Sequence, residues 1–468
     1  MAPRLRRNAL RARNQPETQE GLALHSGSLL ERGDSFSLSA SGASCEVESL
    51  LGVGGQGEVF EVVLTSADAY LGTFAFKCYH PHIANNDQWQ ALSTLVDLGS
   101  PTGRFLWPQD LAKVPQVGTF GYLMALRDPR FRGLVELVRR VVNTGFTALT
   151  LAAFQLADSF LALHSLGLCY RDISLGNVFM DAASGDVLIC DNDNVAVDGM
   201  GHESVLGTTG FMAPEIERME AVPSTRTDLH SLAVLLFLMF VNHHPLIGRR
   251  ELDFRSLDQG AFRQLYGTDP VFIFDPDDSS NRPVASVHDN ALVLWPLYPQ
   301  GLQRLFIRAF TQGLHDPING RVRESTWKAA LARLRDSIVR CECGAESFFD
   351  HEAGGIAAKT PGQCWACNRH SMVPPRLRLP GGLVVLNNDT QLFPHHLGGD
   401  LYDYRTPMAR VSQHPRDPSI QGLQNISEES WMAEEPDDSA HRIDPGRSVR
   451  LTSGMRIRFP RVEGTVEI

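Results

Sequence analysis

The sequence predicts an α+β chain in which a small β-rich lobe precedes a larger helical lobe, with two smaller units behind them. Short strand patterns around a glycine turn occupy 47–76, and helical patterns follow between 147 and 339. A cysteine cluster at 341–370 then precedes short alternating runs. These periodicities are the primary signals of secondary structure. The predicted units are a basic, partly disordered segment 1–45, a two-lobed unit 46–340, a cysteine unit 341–372 and a β-sandwich 373–468.

Composition and charge exclude some classes of function. The chain has 468 residues, 43% of them hydrophobic, and a net charge of −11. A mildly acidic protein is not built to coat nucleic acid, and the longest apolar run, 232–241, is far shorter than the roughly 20 residues that a bilayer requires. We expect neither nucleic acid nor a membrane as a partner. The arginine-rich N-terminus lacks an apolar stretch, so we expect no secretory signal and a cytoplasmic location.

The elements follow in a regular order. A strand, a glycine turn and a second strand are predicted over 47–76, and a helix over Asn86–Leu98, where Trp89, Leu92 and Leu95 share one face. Strands are predicted within 105–126 and at 187–190. Further helices are predicted over 147–166, 228–240, 302–314 and 324–339. This order places the β-rich lobe first.

The first chemical motif is the run G-V-G-G-Q-G-E-V at 52–59. Glycines allow a backbone to approach phosphate closely with its amides pointing at the anion. The flanks favour strand–turn–strand over the strand–turn–helix of dinucleotide-binding folds. We predict that Val59 covers an adenine edge and that the four glycines hold phosphates: Gly52, Gly54, Gly55 and Gly57. A plain hairpin turn is the alternative.

Lys77 ends the apolar strand pattern Phe74-Ala75-Phe76. A buried ammonium is costly without an anion, and nucleotide α- and β-phosphates would supply one. A lysine that reaches solvent from a strand end is the other interpretation.

The third motif is Y-R-D-I-S-L-G-N at 170–177, followed by V-L-I-C-D at 187–191. Phosphoryl transfer requires a carboxylate that orients the attacking hydroxyl and oxygen ligands for Mg²⁺. Asp172 fits the first role; Asn177 and Asp191 fit the second, with Mn²⁺ as a substitute ion. Asp and Asn are also common turn and cap residues, but the order and spacing together favour the catalytic interpretation.

With G-T-T-G-F-M-A-P-E at 207–215, these motifs resemble the eukaryotic-like protein kinase family over about 48–338. The resemblance implies a bilobal protein kinase fold and transfer of the ATP γ-phosphoryl group to serine or threonine on protein substrates. It implies that Lys77, Asp172 and Asn177 are catalytic and that Ala75, Met124, Ala125 and Leu126 contact the nucleotide.

The same resemblance implies three supporting roles. Asp228 would hold the backbone of the catalytic loop, Arg321 would pair with Glu215, and Thr208 would position the substrate hydroxyl. Arg171 could receive a phosphate on the activation loop, for which Ser204 and Thr209 are the predicted acceptors. The alternative is that Arg171 has a local partner in a loop that is already ordered.

The chain departs from the family pattern at several positions. Tyr170 replaces a histidine, Ser174 replaces a lysine, and Asn192-Asp193 replaces Phe-Gly after Asp191. Asp193 is therefore a rival metal ligand, ranked second because Asp191 ends the apolar strand. No glutamate lies between Glu61 and Glu136, so the helix glutamate that pairs with the lysine is missing. The substitutes left open are Asp87, Asp97, Gln88 and Gln90.

Three shorter motifs resemble a bacterial subgroup of this kinase family. These are His80-Pro81-His82, F-L-W-P at 105–108 and G-Y-L-M at 121–124. They are similar to kinases encoded beside a PP2C-type phosphatase and a von Willebrand factor A-like protein in stress-linked clusters. The resemblance implies these two proteins as partners.

Four cysteines form a C-x-C…C-x-x-C pattern: Cys341, Cys343, Cys364 and Cys367. Four thiolates on two tight knuckles suit tetrahedral Zn²⁺, and so short a segment could hardly fold without it. We therefore predict a zinc ribbon with a structural role. A redox pair at Cys364 and Cys367 is the alternative, with His351 and His370 as substitute ligands.

The last segment reads G-L-Q-N-I-S at 422–427 and L-T-S-G-M-R-I at 451–457. It resembles the second half of a forkhead-associated domain, a β-sandwich that binds phosphothreonine. The first-half signature is represented only by Ser412-Gln413-His414, so a sandwich that binds no phosphopeptide stays open. For the whole chain, the alternatives to an active kinase are a pseudokinase scaffold and a small-molecule phosphotransferase; the 207–215 segment argues against the latter.

Overall fold

The computed structural model describes residues 27–67, 69–199, 206–358, 362–399 and 402–468. Most of the predicted basic segment therefore lies outside the described residues. Its last part belongs to the first sheet, because Ser35–Ser37 already forms a strand. Leu30, Phe36 and Leu38 are buried in the core of this lobe, so the folded unit begins before the predicted boundary at 46.

The small lobe is a six-stranded antiparallel sheet with one helix. The strands run in the order β1-β2-β3-β4-β6-β5. The helix starts at the cap Asn85, whose side chain accepts from the Gln88 amide, and ends at Gly99 with a φ of 72°. The elements are β1 (Ser35–Ser37), β2 (Ser44–Val53), β3 (Gly57–Ser66), β4 (Ala69–Tyr79), α1 (Asn86–Leu98), β5 (Asp110–Val114) and β6 (Thr119–Ala125).

The large lobe is mostly helical and is built around two buried helices. It comprises β7 (Phe131–Gly133), α2 (Leu134–Val138), α3 (Phe146–Ser165), β8 (Leu168–Cys169), β9 (Val178–Asp181), β10 (Val187–Ile189), β11 (Ala196–Val197), α4 (Pro214–Glu217), α5 (Thr225–Val241), α6 (Gln259–Phe262), α7 (Asp289–Leu294), α8 (Gln300–Phe310), α9 (Gln312–His315) and α10 (Glu324–Asp336). Among the described residues, α3 alone is long and apolar enough to cross a membrane. Its apolar window is 61% buried inside the protein, as expected of a core helix.

Two predicted helices end differently from the prediction. The helix expected over 302–314 is interrupted at Thr311, which separates α8 from α9. The helix expected over 324–339 ends at Asp336, because Ile338–Arg340 forms a strand that pairs with residues 346–348. Pairing with a distant segment overrides the local helical pattern at that end.

The cysteine unit adds a three-stranded antiparallel sheet of β12 (Ile338–Arg340), β13 (Glu346–Asp350) and β14 (Gly355–Ala357). The sheet therefore crosses the predicted boundary at 340. Phe348 of β13 is fully buried in the same hydrophobic core as the helical lobe. Its ring centroid lies 4.9 Å from that of Phe146, the first residue of α3.

A carboxylate from the cysteine unit caps helix α3. The residue before α3 is Gly145, which has no side chain that could cap the helix. Glu346 accepts hydrogen bonds from the Thr147 amide at 2.9 Å and from its hydroxyl at 2.7 Å. An anion at a helix N-terminus satisfies free amides and is favoured by the helix dipole. The cysteine unit is thus integrated into the larger lobe.

The C-terminal segment forms two antiparallel sheets that enclose one core. One has the order β16-β15-β24-β23-β20-β21 and the other β17-β18-β19-β22. Leu377, Leu423, Trp431 and Ile457 lie in their shared core. The strands are β15 (Arg376–Leu379), β16 (Gly382–Val385), β17 (Gln391–Leu392), β18 (Ala409–His414), β19 (Asp417–Asn425), β20 (Trp431–Glu434), β21 (Ala440–Ile443), β22 (Ser448–Arg450), β23 (Arg456–Arg458) and β24 (Glu463–Glu467).

Candidate active site and four-cysteine cluster

Asp172 lies in the loop between β8 and β9, and two side chains hold its carboxylate. The Asn177 amide nitrogen donates to Asp172 Oδ2 at 3.0 Å and to the Asp172 carbonyl at 2.9 Å. The Thr208 hydroxyl donates to Asp172 Oδ1 at 2.6 Å. Asp172 is therefore oriented from two sides. Both contacts of Asn177 use the amide nitrogen, so its amide oxygen is the atom left to face a cation.

Helix α5 supports this loop from below. Asp228, in its first turn, is 1% exposed and accepts hydrogen bonds from the backbone amides of Tyr170 and Arg171. His164 of α3 bridges Asp228 and Glu324. The hydroxyl of Tyr170 donates to the carbonyl of Cys190, the residue before Asp191. Tyr170 thus ties the loop of Asp172 to the loop of Asp191.

The ion pair that the resemblance implies, Arg321 with Glu215, is present at the end of the 207–215 segment. Arg321 Nη2 lies 2.7 Å from Glu215 Oε2, and both side chains are largely buried. Of the predicted phosphate acceptors, Ser204 lies outside the described residues and Thr209 is exposed. Arg171 donates through Nε to the carbonyl of Asn194. Arg171 therefore has a local partner, as one of the two alternatives predicted, and that partner is a backbone carbonyl.

Lys77 has an unexpected partner. Its Nζ lies 2.8 Å from Asp193 Oδ2 and 3.6 Å from Asp191 Oδ1. Asp193 also accepts from the hydroxyls of Tyr79 at 2.5 Å and Tyr122 at 3.3 Å. Its side chain is 1% exposed. Asp193, ranked as a rival metal ligand from the sequence, instead fills the place of the missing helix glutamate.

The substitutes proposed on helix α1 do not reach the lysine. Asp87, Asp97 and Gln90 are exposed, and the buried Oε1 of Gln88 has no hydrogen-bond partner among the described residues. The third contact of Lys77 comes from the glycine loop, where Gln56 Oε1 accepts from Nζ at 3.3 Å. The uncharged side chain of Gln56 thus lies beside Lys77 on the side where the nucleotide phosphates were predicted.

Asp191 and Asp193 have opposite electrostatic character. Burial opposes ionisation of Asp193, but the ion pair with Lys77 and the hydrogen bonds from Lys77 and Tyr79 outweigh it, so its pKa is lowered. The Asp191 side chain keeps 46% of its surface accessible. It lies deep enough in the cleft that lost hydration, with repulsion from Asp193 and Asp172, raises its pKa. Asp191 thus lies near two other carboxylates, Asp193 and Asp172, and such a group favours a divalent cation, with Asp191 and Asn177 as its predicted ligands.

The glycine loop joins β2 to β3 beside this cluster. A Cβ on Gly57 would lie 2.2 Å from the carbonyl oxygen of Cys78, so the close approach of β4 requires a glycine there. A Cβ on Gly52 or Gly55 would meet nothing within 4 Å, and one on Gly54 only the Gly57 carbonyl at 3.6 Å. Packing does not explain these three glycines, which is consistent with a role toward a ligand.

The predicted adenine contacts converge in one apolar cluster. Ala75 and Met124 are buried in it, and three half-buried residues pack against them: Val59, Ala125 and Leu126. Two further residues pack against this cluster. They are Leu188 of β10 and Cys190, which lies between β10 and Asp191. The sequence analysis did not predict that these two residues line the adenine pocket. The available signal was their position at alternate residues of the apolar run 187–190, which places them on one face of the strand.

The four cysteines lie together as one group with their sulfurs within 4.8 Å of one another. The sulfurs of Cys341 and Cys367, and those of Cys343 and Cys364, are 3.7 Å apart. Four sulfurs at about 2.3 Å from a central zinc would be separated by about 3.8 Å, so the geometry fits the ion. All four sulfurs approach one another across the two knuckles, which favours one four-ligand site over an isolated redox pair of Cys364 and Cys367. His351 and His370 lie outside the group.

Comparison with known proteins agrees with this geometry. The protein kinase domain family matches residues 132–290. The serine/threonine-protein kinase chk-2 of Caenorhabditis elegans is 32% identical over 120 residues, which are 24% of this chain and 25% of that protein. The DNA damage-responsive serine/threonine-protein kinase RqkA of Deinococcus radiodurans is 28% identical over 210 residues, 43% of this chain and 30% of that protein.

The match to a plant relative also covers only part of each chain. CBL-interacting protein kinase 29 of Oryza sativa is 26% identical over 170 residues, 35% of this chain and 37% of that protein. The chain thus spans between a quarter and about two fifths of the length of these three relatives. The chain therefore carries a protein kinase domain, and its similarity is to the serine/threonine-protein kinases.

Proposed function

We propose that this protein transfers the γ-phosphoryl group of ATP to serine or threonine hydroxyls of protein substrates. The observation that carries the proposal is the state of Asp172, whose carboxylate is held by Thr208 and Asn177 at 2.6 and 3.0 Å. A carboxylate held in this way can orient a hydroxyl for in-line attack. When bound, Mg²⁺ would neutralise phosphate charge, with Asn177 and Asp191 as its ligands.

Lys77 completes the proposed machinery. Its ammonium is nearly buried and is kept charged by Asp193, because the ion pair outweighs the cost of burial and raises its pKa. A fixed ammonium next to the glycine loop would bind the α- and β-phosphates once Gln56 moves aside. The absence of a helix glutamate therefore does not by itself argue for an inactive scaffold.

The test uses purified protein with labelled ATP and Mg²⁺ or Mn²⁺, a general protein substrate, and the Asp172→Asn variant. We expect incorporation on serine and threonine by the natural protein and a loss of at least about 100-fold in the variant, since a positioned base contributes about 10²–10⁴-fold. Nucleotide affinity of the variant should stay within about threefold. Binding of ATP without turnover by the natural protein would instead identify a pseudokinase scaffold.

The remaining assignments are proposals that rest on sequence motifs or on sequence resemblance. We propose that the four-cysteine unit holds Zn²⁺ and that the C-terminal sheets form a forkhead-associated-like β-sandwich. Asn425, in the segment that carries the forkhead-associated resemblance, supports the β-sandwich. Its buried amide donates to the carbonyls of Glu429 and Ile443 and so joins β19 to β21 and to the loop before β20. We also propose a cytoplasmic location. A role in bacterial stress signalling follows from the resemblance of the finer kinase motifs to a bacterial subgroup. So do a PP2C-type phosphatase and a von Willebrand factor A-like protein as partners; co-purification with each would test them.

A further inference from the structure

A cavity separate from the ATP cleft lies where the helical lobe meets the cysteine unit. It encloses about 420 Å³ between the end of α2, the start of α3, the end of α5 and the first cysteine knuckle. Small-molecule sites have volumes of about 300–1,000 Å³. Most of its wall is apolar and includes Leu137, Leu149, Met239, Leu294 and Trp365. Its size and lining are those of a site for a small, largely apolar molecule.

One cation lies in this apolar wall. Arg140 lines the cavity, and its Nε is buried without a hydrogen-bond partner among the described residues. Partial burial lowers the pKa of Arg140, and no carboxylate contributes to that shift. The side chain as a whole is half-buried, and a guanidinium with a buried nitrogen is stabilised by a nearby anion. Within the described part of the chain, Arg140 therefore has no carboxylate partner.

The carboxylate in the same wall does not serve that purpose. Glu346 lines the cavity, but its oxygens accept from the amide and hydroxyl of Thr147 at 2.9 and 2.7 Å. It also lies 3.4 Å from a guanidinium nitrogen of Arg340, which offsets its charge. Glu346 is thus committed to capping α3, and the positive charge of Arg140 stays uncompensated.

The backbone at Arg140 adds a second observation. Its φ is 56°, in the left-handed region just after α2. For a residue other than glycine this conformation is unfavourable, and glycine is the usual residue after a helix end. The chain therefore carries an arginine where glycine would be more stable, which is expected when the side chain itself is needed.

We propose that this cavity binds a small organic anion with an apolar tail, whose carboxylate pairs with Arg140 and whose tail packs against the apolar wall. The planar guanidinium can hold a carboxylate through two parallel hydrogen bonds. Asn143 and Asn242, which also line the cavity, add polar groups for the head of the ligand. Because the wall includes residues of both the helical lobe and the cysteine unit, the ligand binds across their junction.

The test is calorimetric titration of the full chain with sodium octanoate, using 1-octanol as the neutral probe of equal length. We expect saturable binding of octanoate and binding of octanol weaker by at least about tenfold. Arg140→Gln should weaken octanoate binding by at least about tenfold, whereas Arg139→Gln, at the exposed neighbouring position, should leave it unchanged. Quenching of tryptophan fluorescence that disappears in Trp365→Phe would place the ligand in this cavity.

A second variant protects the test against misfolding. Leu137→Trp fills the cavity from α2 while keeping Arg140, and it should abolish octanoate binding without changing the unfolding temperature. The proposal is overturned if the natural protein shows no saturable binding, or if either Arg140→Gln or Leu137→Trp binds octanoate as the natural protein does. If Arg140→Gln does not fold, Leu137→Trp alone decides the result.

Discussion

At the scale of single residues, the main finding is that Asp193 takes over the charge of a missing glutamate. The sequence shows that no glutamate is available on α1, and it shows Asp193 two positions after Asp191. Only the fold shows that Asp193 points back toward the first sheet, where Lys77 and Tyr79 of β4 and Tyr122 of β6 surround it. The lysine is thus anchored by the segment that carries Asp191, and α1 contributes no charge to it.

Asp193→Asn tests this anchor. Removing the charge leaves Asp191 as the one carboxylate beside Lys77 among the described residues, which should draw the ammonium toward the predicted metal site. We expect ATP affinity and phosphoryl transfer each to fall by about tenfold or more, because truncating a buried ion pair costs several kcal/mol. Both are measured with the labelled-ATP assay and nucleotide titration.

The matched control is Asp87→Asn, which changes an exposed carboxylate of α1. It should leave both quantities unchanged. If Asp87→Asn impaired transfer and Asp193→Asn did not, the lysine would take its partner from the helix during turnover, and the assignment of Asp193 would be wrong.

His164 predicts a pH dependence of stability. Burial acts to lower its pKa, but hydrogen bonds and attraction from Asp228 and Glu324 outweigh burial and raise the pKa to about 9, from an ordinary value of 6.5. Because the folded pKa is raised, its contribution is complete below about pH 6.5 and is lost as the pH rises through about 9. The effect is on the order of 2–3 kcal/mol.

Denaturant unfolding of the natural protein and of His164→Gln between pH 6 and pH 10 measures this contribution. The difference in free energy of unfolding should shrink across about pH 6.5–9. A difference that stays constant over that range would show that His164 is uncharged in the folded protein. Because Asp228 also holds the amides of Tyr170 and Arg171, activity should decline over the same range.

At the scale of elements, the glycine loop combines two separate requirements. Gly57 is required by packing, since any side chain would collide with the backbone of β4, whereas Gly55 has open space around it. The sequence alone treats the four glycines alike, because it cannot show which of them faces a neighbouring strand.

The pair Gly57→Ala and Gly55→Ala separates these requirements. Gly57→Ala should lower the unfolding temperature by several degrees, because overpacking costs about 1–3 kcal/mol. Gly55→Ala should leave the unfolding temperature unchanged and weaken ATP binding by a few-fold. Thermal unfolding with and without ATP measures both, and equal destabilisation by the two variants would contradict the structure.

At the scale of the whole molecule, the cysteine unit is part of the helical lobe. Phe348 lies in that lobe's core, and Glu346 caps α3. The spacing of the cysteines predicts a separate zinc ribbon whose loss would leave the kinase core folded. The packing indicates instead that losing the metal weakens the lobe, since the first turn of α3 would lose its cap and an aromatic neighbour.

Cys364→Ser tests this coupling. The natural protein should contain about one zinc per chain by elemental analysis, and the variant should lose it and unfold at a lower temperature in a single transition. The control is Glu342→Gln, at an exposed position between two cysteines, which should keep both the metal and the stability. A metal-free protein with normal stability would refute the zinc proposal, and an unchanged kinase transition in Cys364→Ser would refute the coupling.

The sequence by itself determined the order of the lobes and the position of helix α1, and it singled out Lys77, Asp172, Asn177 and Asp191 as the residues proposed for catalysis and metal binding. These features are local: periodicity marks the elements, and motif spacing marks the residues. The tertiary structure alone decided which carboxylate holds Lys77, which glycine is required by packing, and how the cysteine unit joins the larger lobe. Each of these depends on contacts between residues distant in sequence, such as Lys77 with Asp193 and Thr147 with Glu346. Local pattern carries no information about such contacts, because burial and side-chain direction are set only when the elements pack.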